Sequence, residues 1–128
     1  MSMKLANPHS HTPAYRQIAD SLREMLVSGD LKPGASLPSV RSMAADLGVH
    51  FNTVAAAYRE LADEGWLDLR HGRSAQVLER RVPKADRETV EEFGHRLRIL
   101  TALMRANGVP VEKLRAELQA VAKELKSS

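Results

Sequence analysis

The run Ser39-Val40-Arg41-Ser42-Met43-Ala44-Ala45-Asp46-Leu47-Gly48-Val49-His50-Phe51-Asn52-Thr53-Val54 decides the fold of this chain. Val40, Met43, Ala44 and Leu47 recur at helical spacing, with Ser39 placed to cap them and Gly48 to end them. Beyond Val49 a second helical series, Val54, Ala57, Tyr58 and Leu61, continues toward Gly65. Two short helices joined by a tight turn at Leu47-Gly48-Val49 form the pattern of a helix-turn-helix.

Working outward toward the N-terminus, Leu31 to Pro38 is dense in turn formers and too short for another helix. Before it, Tyr15, Ile18, Leu22 and Leu26 mark the buried face of a helix that Gly29 closes. Residues 1–12 carry no apolar period and read as a mobile tail.

On the other side, Trp66 to Leu69 and Ala75 to Leu78 read as two short strands around Arg70-His71-Gly72-Arg73-Ser74, a β-hairpin, or wing, with a basic tip. The pattern changes at Arg80, Arg81, Pro83 and Lys84, which sets the expected organisation: a tail at 1–12, a winged helix-turn-helix at 13–81 and a helical unit at 82–128. In that last unit Val90, Phe93, Leu97, Leu100 and Met104 form one apolar stripe. After the turn Asn107-Gly108-Val109-Pro110, the residues Val111, Leu114, Leu118, Val121 and Leu125 form another. The expected fold class is therefore mainly α with a small β-hairpin.

Bulk composition agrees with a packed chain of this size. Of 128 residues 43% are hydrophobic and 27% charged, while aromatics at 4% leave the core to aliphatic packing. Cysteine is absent, which excludes disulfides, thiolate metal sites and a cysteine nucleophile and suits a reducing cytoplasm. No run approaches a membrane span. His9, His11, His50, His71 and His95 lack metal-site spacing, and no set of nucleophile, paired carboxylates or metal ligands suggests an enzyme, so neither metal nor cofactor is expected.

The net charge of +3 permits a polyanionic partner without demanding one, so the placement of charge matters more. The N-terminal side chains of a recognition helix face base edges in the major groove of double-stranded DNA. Here those are His50, Phe51, Asn52 and Thr53. Asn52 can pair with adenine and Thr53 offers a hydroxyl and a methyl group, although either could instead serve only as the helix cap. Arg41, in the first helical turn where the dipole disfavours a cation, is suited to an anion; pairing with Asp46 is the alternative. Arg70 and Arg73 at the wing tip suit phosphate, as do backbone amides near Ser39. Gly72 allows close approach to the backbone, and His50 and His71 are supplementary contacts.

Tyr15-Arg16-Gln17-Ile18, Gly29-Asp30-Leu31-Lys32-Pro33-Gly34, Leu37-Pro38-Ser39-Val40-Arg41, Leu47-Gly48-Val49, Asn52-Thr53-Val54, Ala57-Tyr58-Arg59-Glu60-Leu61, Glu64-Gly65 and Gly72 stand in unbroken order. In these residues the chain resembles the winged-helix domain of the GntR family of bacterial regulators. Its short tail resembles the YtrA-like subfamily. The resemblance implies a transcriptional regulator, acting by repression or activation, that binds short inverted-repeat operators as a homodimer; a repressor is expected here. It assigns DNA contacts to Arg41, to His50 through Thr53 and to Gly72. The chain departs from the family at two places: His50-Phe51 replaces the usual Ser-Arg or Thr-Arg pair, and the wing's Gly-x-Gly is reduced to Gly72-Arg73-Ser74. Phe51 is expected to pack into the core, contact with a thymine methyl being the other reading.

The tail stripes leave apolar surface that one hairpin cannot cover, so two hairpins are expected to associate around a twofold axis. So small a tail leaves little room for a metabolite cavity. A winged-helix module that docks a polypeptide rather than DNA is the rival function.

Overall fold

Ile18, Leu22, Val54, Ala57 and Leu61 are completely buried, and three helices meet around them. In the computed structural model, which describes residues 11–70, 74–80 and 82–125, these are α1 (Ala14–Ser28), α2 (Val40–Leu47) and α3 (Phe51–Asp63). Burying each of the larger side chains contributes roughly 1.5–3 kcal/mol, so this aliphatic centre supplies much of the drive for the three helices to form. The chain divides into two compact units, Met1–Arg81 and Val82–Ser128.

In the first unit, Gly29 closes α1 at a φ of 88° and Gly48 closes α2 at 70°. At Gly48 that left-handed backbone directs the amides of Gly48 and Val49 back to the carbonyls of Ala45 and Ala44, so the chain reverses within three residues. Ser39 caps α2 as expected, its hydroxyl accepting the Ser42 amide at 3.1 Å. Across the α1–α3 contact, Arg23 donates to both carboxylate oxygens of Glu64, at 2.9 and 2.5 Å, while Arg16 pairs with Glu60 at 3.0 Å.

The wing is antiparallel, with β1 (Leu67–Asp68) on β2 (Gln76–Val77) in the register Leu67 opposite Val77 and Asp68 opposite Gln76. One feature differs from the sequence expectation. The turn-rich stretch before α2 joins this sheet: Ser36 bridges Gln76, Leu37 donates to the Ala75 carbonyl at 2.7 Å, and Val77 donates to that of Ala35 at 2.8 Å. Its short length and its Gly34 and Pro33 hid it, yet the buried Leu37 pins it against the core. Arg80 closes the base of the wing, its guanidinium 4.6 Å from the centroid of the Trp66 ring and its Nε donating to the Glu64 carbonyl at 2.8 Å.

The second unit consists of α4 (Arg87–Ala106) and α5 (Val111–Glu124). Asp86 caps α4 by accepting the Thr89 amide at 2.7 Å; this cap begins the helix three residues before the first apolar position of its stripe. The turn between the helices is fastened by the Asn107 side-chain amide on the Leu103 carbonyl and by Arg105 on that of Val109. Contact between α4 and α5 is sparse. Among the described residues Leu114 is the one buried side chain of these two helices.

Candidate nucleic-acid interface

The first turns of α2 and α3 meet through their side chains. Arg41, the second residue of α2, lays its guanidinium 4.9 Å from the centroid of the Phe51 ring, and Phe51 is the first residue of α3. The His50 ring stacks on the same phenyl group, with centroids 4.6 Å apart and planes inclined by 28°. Neither helix carries an acidic residue in its first turn. The positive ends of both dipoles and the exposed Arg41 therefore give this edge a consistent sign.

One sequence expectation is corrected here and two alternative readings are removed. Phe51 does not enter the core but remains 40% exposed, because at the first position of α3 its ring is taken up by Arg41 and His50 at the helix end. The cap of α3 is neither Asn52 nor Thr53 but His50, whose Nδ1 accepts the Asn52 amide at 3.1 Å. That leaves the side chains of Asn52, which is exposed, and Thr53, half-buried, without a capping duty. Arg41 does not pair with Asp46, and among the described residues it meets no carboxylate within ion-pairing distance. Its partner is an aromatic face.

At the base of the wing a residue missed by sequence reasoning sets the geometry. Asp68 is 8% exposed. It accepts the Arg70 amide at 2.9 Å, Arg70 Nε at 3.0 Å and Arg70 Nη2 at 3.1 Å. The carboxylate raises the guanidinium pKa above its ordinary value. Arg70 is thus a positioned cation on a strand end, its side chain 85% exposed. A buried acid two residues before an arginine was the available signal. His71, Gly72 and Arg73, expected at the wing tip, lie outside the described residues.

A cleft of about 140 Å³ lined by Val40, Ala55, Tyr58, Arg59, Leu69, Ser74 and Ala75 lies between α2, α3 and the wing; ligand sites for metabolites usually span about 300 Å³ or more. Among the described residues no helix is long and apolar enough to cross a membrane.

Residues 14–77 match the family described as bacterial regulatory proteins, gntR family. A curated relative, the HTH-type transcriptional repressor YtrA of Bacillus subtilis (strain 168), is 32% identical over 120 residues, which cover 94% of this chain and 92% of that protein. The chain belongs to the GntR family. Its fold, a winged helix-turn-helix followed by C-terminal helices, is that of solved relatives. YtrA from Sulfolobus acidocaldarius, a GntR-family transcription factor, is 33% identical, with a TM-score of 0.55 over 94% of this chain and 97% of that one. A transcriptional antiterminator from Listeria monocytogenes EGD-e shares the fold at a TM-score of 0.72 and 23% identity, covering 99% of this chain and 96% of that one. The family and these relatives are regulators of transcription, not enzymes.

Proposed function

We propose that this chain is a cytoplasmic, sequence-specific repressor that binds an inverted-repeat operator as a homodimer, with 13–81 as the DNA-binding part and 82–128 as the dimerisation part. The observation that carries the reading is the acid-free edge where Arg41, His50 and Phe51 converge at the first turns of α2 and α3. In this account α3 enters the major groove, Asn52 and Thr53 read bases, and His50 supplements them. Arg41, Arg70, Arg73 and the amides around Ser39 hold phosphates, and His71 and Gly72 approach the backbone. The repressor sign is supported by the name of the Bacillus relative.

The pairing of two chains is supported by the second unit. Val90, Phe93, Leu97, Leu100, Leu118, Val121 and Leu125 are between 42% and 74% exposed. Met104 and Val111 are half-buried, and only Leu114 is withdrawn from solvent. So long an apolar stripe is unfavourable in water and is covered economically by an identical stripe on a second copy, whose twofold symmetry then matches two half-sites.

Selecting bound fragments from the genome of origin with the full-length protein tests the proposal. Enriched fragments sharing an inverted repeat support it; enrichment no greater than that of random duplex overturns it.

A further inference from the structure

Phe51 occupies the first position of α3 with 40% of its surface exposed. It is nevertheless not a loose surface group. The Arg41 guanidinium lies 4.9 Å from its centroid and the His50 ring 4.6 Å. A cation over an aromatic face is attracted to the ring's negative quadrupole face, which favours one placement of the ring. His50 is itself held, because its Nδ1 accepts the Asn52 amide. That bond leaves the imidazole proton on Nε2, so His50 presents a donor beside the ring.

A phenyl ring at the start of a recognition helix cannot hydrogen-bond to a base edge. The one apolar group that the major groove displays is the C5-methyl of thymine. We propose that Phe51, held by Arg41 and His50, reads a thymine methyl in each operator half-site, and that this contact sets a specificity different from that of an arginine at the same position. The inference rests on the DNA-binding reading above. Within it, Arg41 has a second role as a positioning residue for the ring, which explains why its guanidinium meets an aromatic face rather than a carboxylate.

The test takes an operator obtained by genomic selection and replaces its thymines one at a time by deoxyuridine, which removes only the methyl group. Affinities are measured for the wild-type protein, for Phe51→Ala and for Arg41→Lys. At one thymine per half-site, uracil lowers wild-type affinity about three- to fivefold, the size expected for one buried methyl. Phe51→Ala no longer distinguishes the two operators at that position, yet still distinguishes operator from scrambled duplex through Asn52 and Thr53. Arg41→Lys, which keeps the charge but not the planar stack, narrows the thymine-to-uracil ratio while binding both. Because Phe51 lies outside the core, the thermal midpoint of Phe51→Ala stays near that of the wild type and confirms that the variant is folded. If the wild type prefers the operator but tolerates uracil everywhere, or if Phe51→Ala keeps the full ratio, the assignment of Phe51 is wrong and the DNA-binding reading stands. If the wild type shows no preference among duplexes, both fall together.

Discussion

The phenolic hydroxyl of Tyr58 donates a 2.8 Å hydrogen bond to the carbonyl oxygen of Pro38, the residue just before the cap of α2. Tyr58 is 1% exposed. The bond therefore ties the middle of one helix to the approach of the other and fixes how the edge formed by Arg41 and Phe51 is presented. Burial pushes the Tyr58 hydroxyl up to about 12.

Replacing Tyr58 with Phe leaves the Pro38 carbonyl without this donor, and the expected loss is about 1–2 kcal/mol of unfolding free energy. Urea unfolding at neutral pH measures it. The tyrosine's pKa is raised above its ordinary value of 10.0, so its contribution is complete below pH 10 and is lost as the pH climbs toward 12. The Phe variant lacks this alkaline component, and a wild type and variant with identical stability curves above pH 10 would refute the assignment.

On the acid side the relevant group is Glu64. Hydrogen bonding from Arg23 lowers its carboxyl pKa below the ordinary 4.5, so the stabilisation is present above that value and is lost as the pH falls through the depressed pKa. Glu64→Gln is expected to flatten the acid limb of the stability profile and to cost about 0.5–1 kcal/mol at pH 7, in keeping with a partly exposed ion pair. Thermal unfolding midpoints at several pH values from about 3 to about 7, which span the ordinary carboxylate range, provide the check.

Two arginines are expected to fail differently on DNA. Arg41→Ala loses a phosphate contact and also the stack that places Phe51, so it costs about 1–3 kcal/mol on the operator and less on scrambled duplex, whereas Arg70→Ala weakens binding to both alike and reduces the salt slope by about one. Asp68→Asn frees the Arg70 side chain from its carboxylate but keeps the cation, so its effect is also independent of sequence and, unlike that of Arg70→Ala, does not reduce the salt slope. Titrations at several salt concentrations separate these patterns, and a change of sequence preference in Arg70→Ala would contradict its placement on phosphate.

Self-association should depend on the stripe of α4. Leu97, 53% exposed in the single chain, is a site where Leu97→Asp buries a charge in a paired state but leaves an isolated helix intact. Sedimentation of the wild type at twice the 14.2 kDa chain mass and of the variant at the chain mass is the expected outcome. A wild type that sediments as one chain would remove the basis for a twofold assembly.

Much of this architecture was legible in the sequence because local and long-range signals agree. Gly29 and Gly48 end helices at positive φ, Ser39 caps α2, and the spacing of Val54, Ala57, Tyr58 and Leu61 gives the buried face of α3. What escaped depends on contacts between distant segments. The pairing of Ser36 with Gln76 joins residues forty apart through backbone groups, which carry no side-chain signature. His50 as a cap was hidden because imidazole is a rare choice beside Asn52 and Thr53. Phe51, three residues before Val54, falls in register with the core-facing series of α3, so periodicity alone favours burial; its exposure follows from its place at the helix end, where Arg41 and His50 take up the ring.

The most direct measurement is an equilibrium titration of the full-length protein against a selected genomic fragment and a scrambled duplex of equal length at physiological salt, with the bound mass determined at saturation. Two chains per fragment and a preference of about a thousandfold or more over the scrambled sequence are expected. Equal affinity for both duplexes would contradict it.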